Sequence, residues 1–102
     1  MNKLIFIQIT DWQRETFPAS TALSSAKHLK KEVEELILSI EKGDKENIEE
    51  ELADCFFMLF SIADRAGLDY NQLTYQVQLK LMVNKSRVWN KPDADGCVHH
   101  SK

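Results

Sequence analysis

Apolar residues along this chain recur at helical spacing, and four segments carry the pattern. Leu4, Ile5, Ile7, Ile9 and Trp12 mark a short first helix over about residues 4–15. The run Thr16-Phe17-Pro18-Ala19-Ser20-Thr21 ends it, because Pro18 disfavours helix at Phe17 and the Ser/Thr cluster offers caps for the next helix. That second helix runs to about Lys42 with Leu29, Val33, Leu36, Ile37 and Ile40 as its inner stripe. Gly43 suits the left-handed position that closes it. Asp44 can cap a third helix, with Ile48, Leu52, Cys55, Phe56, Leu59, Ala63 and Ala66 on one face and Gly67 at its end. Asp69-Tyr70-Asn71-Gln72 has the form of a capping box and opens a fourth helix to about Trp89. No stretch alternates with period two. The expected fold is all-α, with residues 1–90 as one domain and 91–102 as a loose tail beginning in turn chemistry.

The apolar residues exceed what four short helices can cover. Phe57, Met58 and Phe60 point away from the stripe of the third helix. Tyr75, Leu79, Met82 and Val83 lie outside the fourth helix's stripe of Leu73, Val77, Leu81 and Val88. Surplus of this kind marks an interface, so a homodimer or homotetramer is expected to complete the bundle.

A length of 102 residues suits one domain. A net charge of −3 argues against a general nucleic-acid binder or a basic membrane-surface helix. Cys55 lies in an apolar run and Cys97 near the end, a pattern that fits a reducing cytosol without a structural disulfide. The longest strongly apolar run, Cys55 to Phe60, falls far short of the roughly 18–20 residues needed to span a bilayer. A soluble, cytoplasmic protein with neither nucleic acid nor membrane as partner is expected.

Charge placement changes the picture. Glu32 and Glu35 form one acidic i,i+3 pair; Glu51 and Asp54 form another across the turn at Gly43-Asp44. Glu35 and Glu51 stand equally far from Gly43 on either side, as do Glu32 and Asp54. At roughly 100° per residue, each pair is displaced in the same sense from its helix's apolar stripe. An antiparallel hairpin therefore gathers four carboxylates along one edge. A lone E-x-x-E is usually a solvated face. Four converging like charges instead call for neutralisation, and a hard divalent cation, Mg²⁺ or Mn²⁺, supplies it.

On the fourth helix Lys80, Asn84 and Arg87 share one face. Alone they would be an ordinary exposed face; beside a metal site they are what a polyphosphate needs, a point charge and a bidentate fork. With three glycines, no Walker loop, no dinucleotide fingerprint and no nucleophile elbow, phosphate must be held by metal and side chains.

These residues resemble the all-α nucleotide pyrophosphohydrolases of the MazG-like superfamily, whose pattern is E-E-x-x-E on one helix and E-x-x-D on the next. Glu32 and Glu35 match the first motif, with Lys31 in place of its leading Glu, and Glu51-Leu52-Ala53-Asp54 matches the second. The string His28 to Leu36, the upstream Thr16-Phe17-Pro18 and the ridge ending at Trp89 look most like the small dATP/dGTP pyrophosphohydrolase branch. The resemblance implies hydrolysis of (deoxy)nucleoside triphosphates to monophosphate and pyrophosphate. It makes Glu32, Glu35, Glu51 and Asp54 the ligands of Mg²⁺, with Mn²⁺ as the substitute, and Glu35 the base for the attacking water. Lys80, Asn84 and Arg87 would meet the β- and γ-phosphates, one or more of them from a neighbouring subunit. Trp12, Phe17 and Trp89 are candidates to face the base, against plain packing roles. His28, one turn before Glu32, is a candidate for substrate or carboxylate contact, against the simpler reading of a surface histidine. The competing class is a catalytically silent helical scaffold, which would need neither the acidic quartet nor the cationic ridge.

Overall fold

The computed structural model describes residues 1–101 and forms the four expected helices: α1 (Lys3–Thr16), α2 (Ala22–Lys42), α3 (Lys45–Arg65) and α4 (Tyr70–Ser86). Local chemistry explains most of the ends. Asn2 caps α1 by accepting the Ile5 N–H on its side-chain oxygen at 3.0 Å. Thr21 and Ser24 cap α2 reciprocally, each hydroxyl accepting the other's backbone N–H. Gly43 closes α2 in the left-handed region at φ 66°, and Asp44 then caps α3 by accepting the Asn47 N–H at 3.2 Å. No helix is long and apolar enough to cross a membrane among the described residues.

The chain divides into two units, the first running from Met1 to Asn71 and the second starting at Gln72. Within the first, α2 and α3 pack in opposite directions, with Ser25 meeting Ser61 near one end and Glu32 and Glu35 meeting Glu51 further along. The seam between them keeps Leu29, Leu36, Ile48 and Cys55 of the stripes that hydropathy selects and departs from the rest. Ile37 and Ile40 of α2 and Leu52 and Phe56 of α3 are exposed. The covered positions are Ser25, Leu29, Glu32, Leu36 and Ser39 on α2, and Ile48, Glu51, Cys55, Met58 and Ile62 on α3. Both sets alternate steps of three and four, the spacing of a coiled-coil seam. Small hydroxyls make the polar positions tolerable: Ser25 and Ser61 share a hydrogen bond at 2.7 Å, and the Ser39 hydroxyl donates to the Glu35 carbonyl at 3.1 Å.

Helix α1 lies across α3. Its buried face is Phe6, Ile9, Thr10 and Gln13, at i, i+3, i+4 and i+7, whereas Leu4, Ile5, Ile7 and Trp12 are exposed. Phe6 meets Phe60 edge-on at 5.0 Å and Tyr70 at 5.6 Å. Gln13 Nε2 donates to the Phe57 carbonyl at 2.8 Å. Arg14 grips Asp64 with two bonds, and Arg65 Nη2 donates to the carbonyls of Gln13 and Phe17 at the C-terminal end of α1.

In the second unit α4 stops at Ser86, short of Trp89. The Trp89 indole N–H donates to the Asn84 carbonyl at 2.9 Å, taking an acceptor that a continuing helix would bond from the backbone. The stretch expected to be loose is paired instead. Asn90 N–H donates to the His99 carbonyl at 2.8 Å, Ser101 N–H to Val88 at 2.9 Å, and the rings of Trp89 and His100 meet at 5.6 Å. Asp93 organises the intervening turn by accepting the N–H groups of Asp95 and Cys97, which hold its carboxyl below the ordinary range.

Nothing lies within 4 Å of where a Gly43 side chain would begin, so its demand is purely conformational. Gly43→Ala is expected to destabilise the chain by about 1 kcal/mol, read as a lowered denaturant midpoint with unchanged slope.

Candidate metal centre

The turn at Gly43-Asp44 sets α2 and α3 at matching height, and three acidic side chains meet as a result. Glu32, Glu35 and Glu51 each offer a carboxylate oxygen, and these lie within 4.8 Å of one another. Glu32 and Glu51 sit in the seam itself; Glu35 is at its exposed margin. Asp54 is not in this trio. It lies further along α3, where it lines with Glu32 one end of an open cleft. The four acids expected along one edge are therefore three in a cluster and one beside it, because the seam runs through Glu32 and Glu51 themselves rather than past them.

The electrostatics are unfavourable as they stand. Glu32 Oε1 meets His28 Nε2 at 3.0 Å, but its Oε2 is buried with no hydrogen-bond partner, and the same holds for Glu51 Oε2. Loss of water and the adjoining Glu32 and Glu35 push the Glu51 carboxyl up to about 7. Cys55, next in the seam, is also raised, first by burial and then by the charges of Glu32, Glu51 and Asp54. Buried carboxylate oxygens without donors are the donor set a hard divalent cation takes, and among the described residues neither Oε2 has a hydrogen-bond partner. Glu32, Glu35 and Glu51 could hold such an ion, with Asp54 adjoining.

From this end a cleft of about 400 Å³ extends along α1 and α3. Beyond Glu32, Asp54 and His28 it is walled by Ser24, Ser25 and Ser61, and then by Trp12, Phe17, Phe57, Gln13 and Arg65. Trp12 stands edge-on to Phe17 at 5.5 Å and to Phe57 at 6.4 Å, so exposed aromatic surface faces the cleft mouth. Of the residues expected from sequence, Glu32, Asp54, His28, Trp12 and Phe17 thus line one cavity. His28 is no idle surface group, since it holds Glu32. Lys80, Asn84, Arg87 and Trp89 belong to the second unit. There Lys80 is exposed, and Arg87, one residue past the end of α4, donates to the Asn84 side chain at 3.3 Å. Gln13, Ser25, Ser61 and Arg65 are lining residues that the sequence reading does not select. For Gln13 a signal exists: it stands with Thr10 on the same helical face as Phe6 and Ile9, polar where the face is buried.

The chain superposes with a TM-score of 0.77 on the cyanophage S-2L MazG-like pyrophosphohydrolase, a structure bound to dGDP and three catalytic Mn²⁺ ions per active site; the two share 24% identity over 96% of this chain and 94% of that one. The model of the dATP/dGTP pyrophosphohydrolase family matches residues 5–102, and the chain belongs to that family. It is a nucleotide pyrophosphohydrolase. No curated protein sequence matches it.

The raised Glu51 carboxyl bears on stability. The folded chain binds its proton up to about pH 7, whereas the ordinary value is 4.5, so folding takes up a proton between the two. The metal-free protein is expected to be more stable near pH 5 and to lose melting temperature as pH rises through 7. Glu51→Gln should flatten that dependence and melt above wild type at pH 8, as followed by circular dichroism in chelator.

Proposed function

We propose that this protein hydrolyses deoxynucleoside triphosphates, dATP and dGTP among them, to the monophosphate and pyrophosphate with Mg²⁺ or Mn²⁺. The buried, unpartnered oxygens of Glu32 and Glu51 carry that proposal, because they gain a partner when a cation arrives. Glu32, Glu35, Glu51 and Asp54 are the ligands. A divalent ion held by them would neutralise phosphate charge and lower the pKa of a water molecule.

The chain's own groups do the rest. His28 fixes the orientation of Glu32 through Oε1 and leaves Oε2 for the ion. Glu35, the exposed member of the trio, takes a proton from the attacking water and passes it to solvent; its exposure supports this role. Trp12 and Phe17 offer apolar surface to the base. Lys80, Asn84 and Arg87, one or more of them from a neighbouring subunit, supply the cationic and amide groups for the β- and γ-phosphates. Residues 1–90 carry this chemistry within a cytoplasmic homodimer or homotetramer. Exposed Ile37, Ile40, Leu52 and Phe56 on α2 and α3, and Val77, Leu81 and Met82 on α4, support the association.

Purified protein with Mg²⁺ is expected to release pyrophosphate from deoxynucleoside triphosphates and to stop when the ion is chelated. Glu51→Gln should lower turnover at least about 100-fold with helical content retained. Absence of turnover on every nucleotide by a folded protein would return it to the scaffold class. At pH 8, Mn²⁺ or Mg²⁺ should raise the melting temperature of wild type and not that of Glu51→Gln. Light scattering should give at least twice the chain mass, and Phe56→Asp should reduce it.

A further inference from the structure

The cleft holds two more buried polar atoms without partners, and they lie away from the carboxylates. One is Gln13 Oε1, the other Arg65 Nε. Gln13 is only 3% exposed, so its amide is a permanent part of the wall. Its orientation is settled by its neighbour: the Phe57 carbonyl can only accept, so Nε2 must face it, at 2.8 Å, and Oε1 must face the other way. Arg65, which lines the same cleft, is likewise held, with Nη2 on the carbonyls of Gln13 and Phe17, and its buried Nε–H has no acceptor. A buried acceptor and a buried donor are thus fixed beside the aromatic surface of Trp12 and Phe17.

We propose that Gln13 is a specificity residue, whose Oε1 accepts a hydrogen bond from an N–H on the edge of the nucleobase. Arg65 Nε–H serves the lone pair standing next to that N–H. Adenine offers its 6-amino group beside a ring nitrogen, and guanine its N1–H beside O6, so both satisfy the wall. A purine whose six-membered ring carries no N–H leaves Oε1 buried and unpaired, and is rejected for that reason. A purely structural Gln13, tying α1 to α3 through Phe57, would treat all bases alike.

Resting as it does on the hydrolase assignment, the test compares kcat/KM for dATP, dGTP and the triphosphate of 2′-deoxynebularine, which lacks any ring-edge N–H, on the full chain with Mg²⁺. Wild type should favour dATP or dGTP over the analogue by about 10-fold or more, chiefly through KM. Gln13→Met, similar in size but without the acceptor, should bring that ratio close to one. Equal use of all three by wild type overturns the proposal without recourse to any variant, as does Gln13→Met with its preference intact. If no triphosphate is hydrolysed, the hydrolase assignment itself falls and the role of Gln13 falls with it.

Discussion

Two glutamates in the seam of a helical hairpin are the constraint around which this molecule is built. Glu32 and Glu51 occupy positions where a hairpin would ordinarily place leucine, and each keeps one carboxylate oxygen out of reach of any donor. Glu35 adds a third oxygen to the same small volume. Packing acids this way costs stability, since burial and mutual repulsion both oppose ionisation, and Glu51 answers by holding its proton to about pH 7. The arrangement makes sense for a site that spends its working life around a cation. Functional positions are the usual place for local rules to be broken.

The rest of the first unit supports that seam and extends it into a cleft. Small hydroxyls at Ser25, Ser39 and Ser61 let α2 and α3 approach closely on either side of the acids. Helix α1 is fastened to α3 by polar side chains as well as by the apolar contact of Phe6 with Phe60. Gln13 reaches Phe57, Arg14 holds Asp64, and Arg65 draws in the last turn of α1. These polar ties keep Trp12 and Phe17 on the open side of the cleft, where hydropathy alone would have buried them. Buried polar atoms at Gln13 and Arg65 then give the aromatic wall a directional character that packing lacks.

Much of the fold is legible from local chemistry. Helix starts at Thr21 and Asp44 and the left-handed turn at Gly43 come from residues whose preferences are set within a few positions. The matched height of Glu35 and Glu51 is legible as well, because rise per residue is constant in a helix. The end of α4 is not: Trp89 stops it by bonding back to Asn84, a side-chain contact that no periodicity encodes. Nor is the pairing of residues 88–101, where Asp93 gathers two N–H groups in a composition that reads as loose tail.

What the sequence determined by itself was the helical class, the acidic hairpin and the kinship of its motifs, since each rests on spacing along one chain. Which face of each helix turns inward was decided only by the tertiary structure. Hydropathy selects the stripes through Ile37 and Ile40 and through Leu52 and Phe56 as the seam, yet those residues are exposed while Ser25, Ser39, Glu32 and Glu51 take covered positions beside the leucines, isoleucines and Cys55. Hydropathy ranks a helical face by transfer from water. A seam that must carry a charged site is chosen instead by side-chain size and by what the acids gain there, and those depend on the opposing helix.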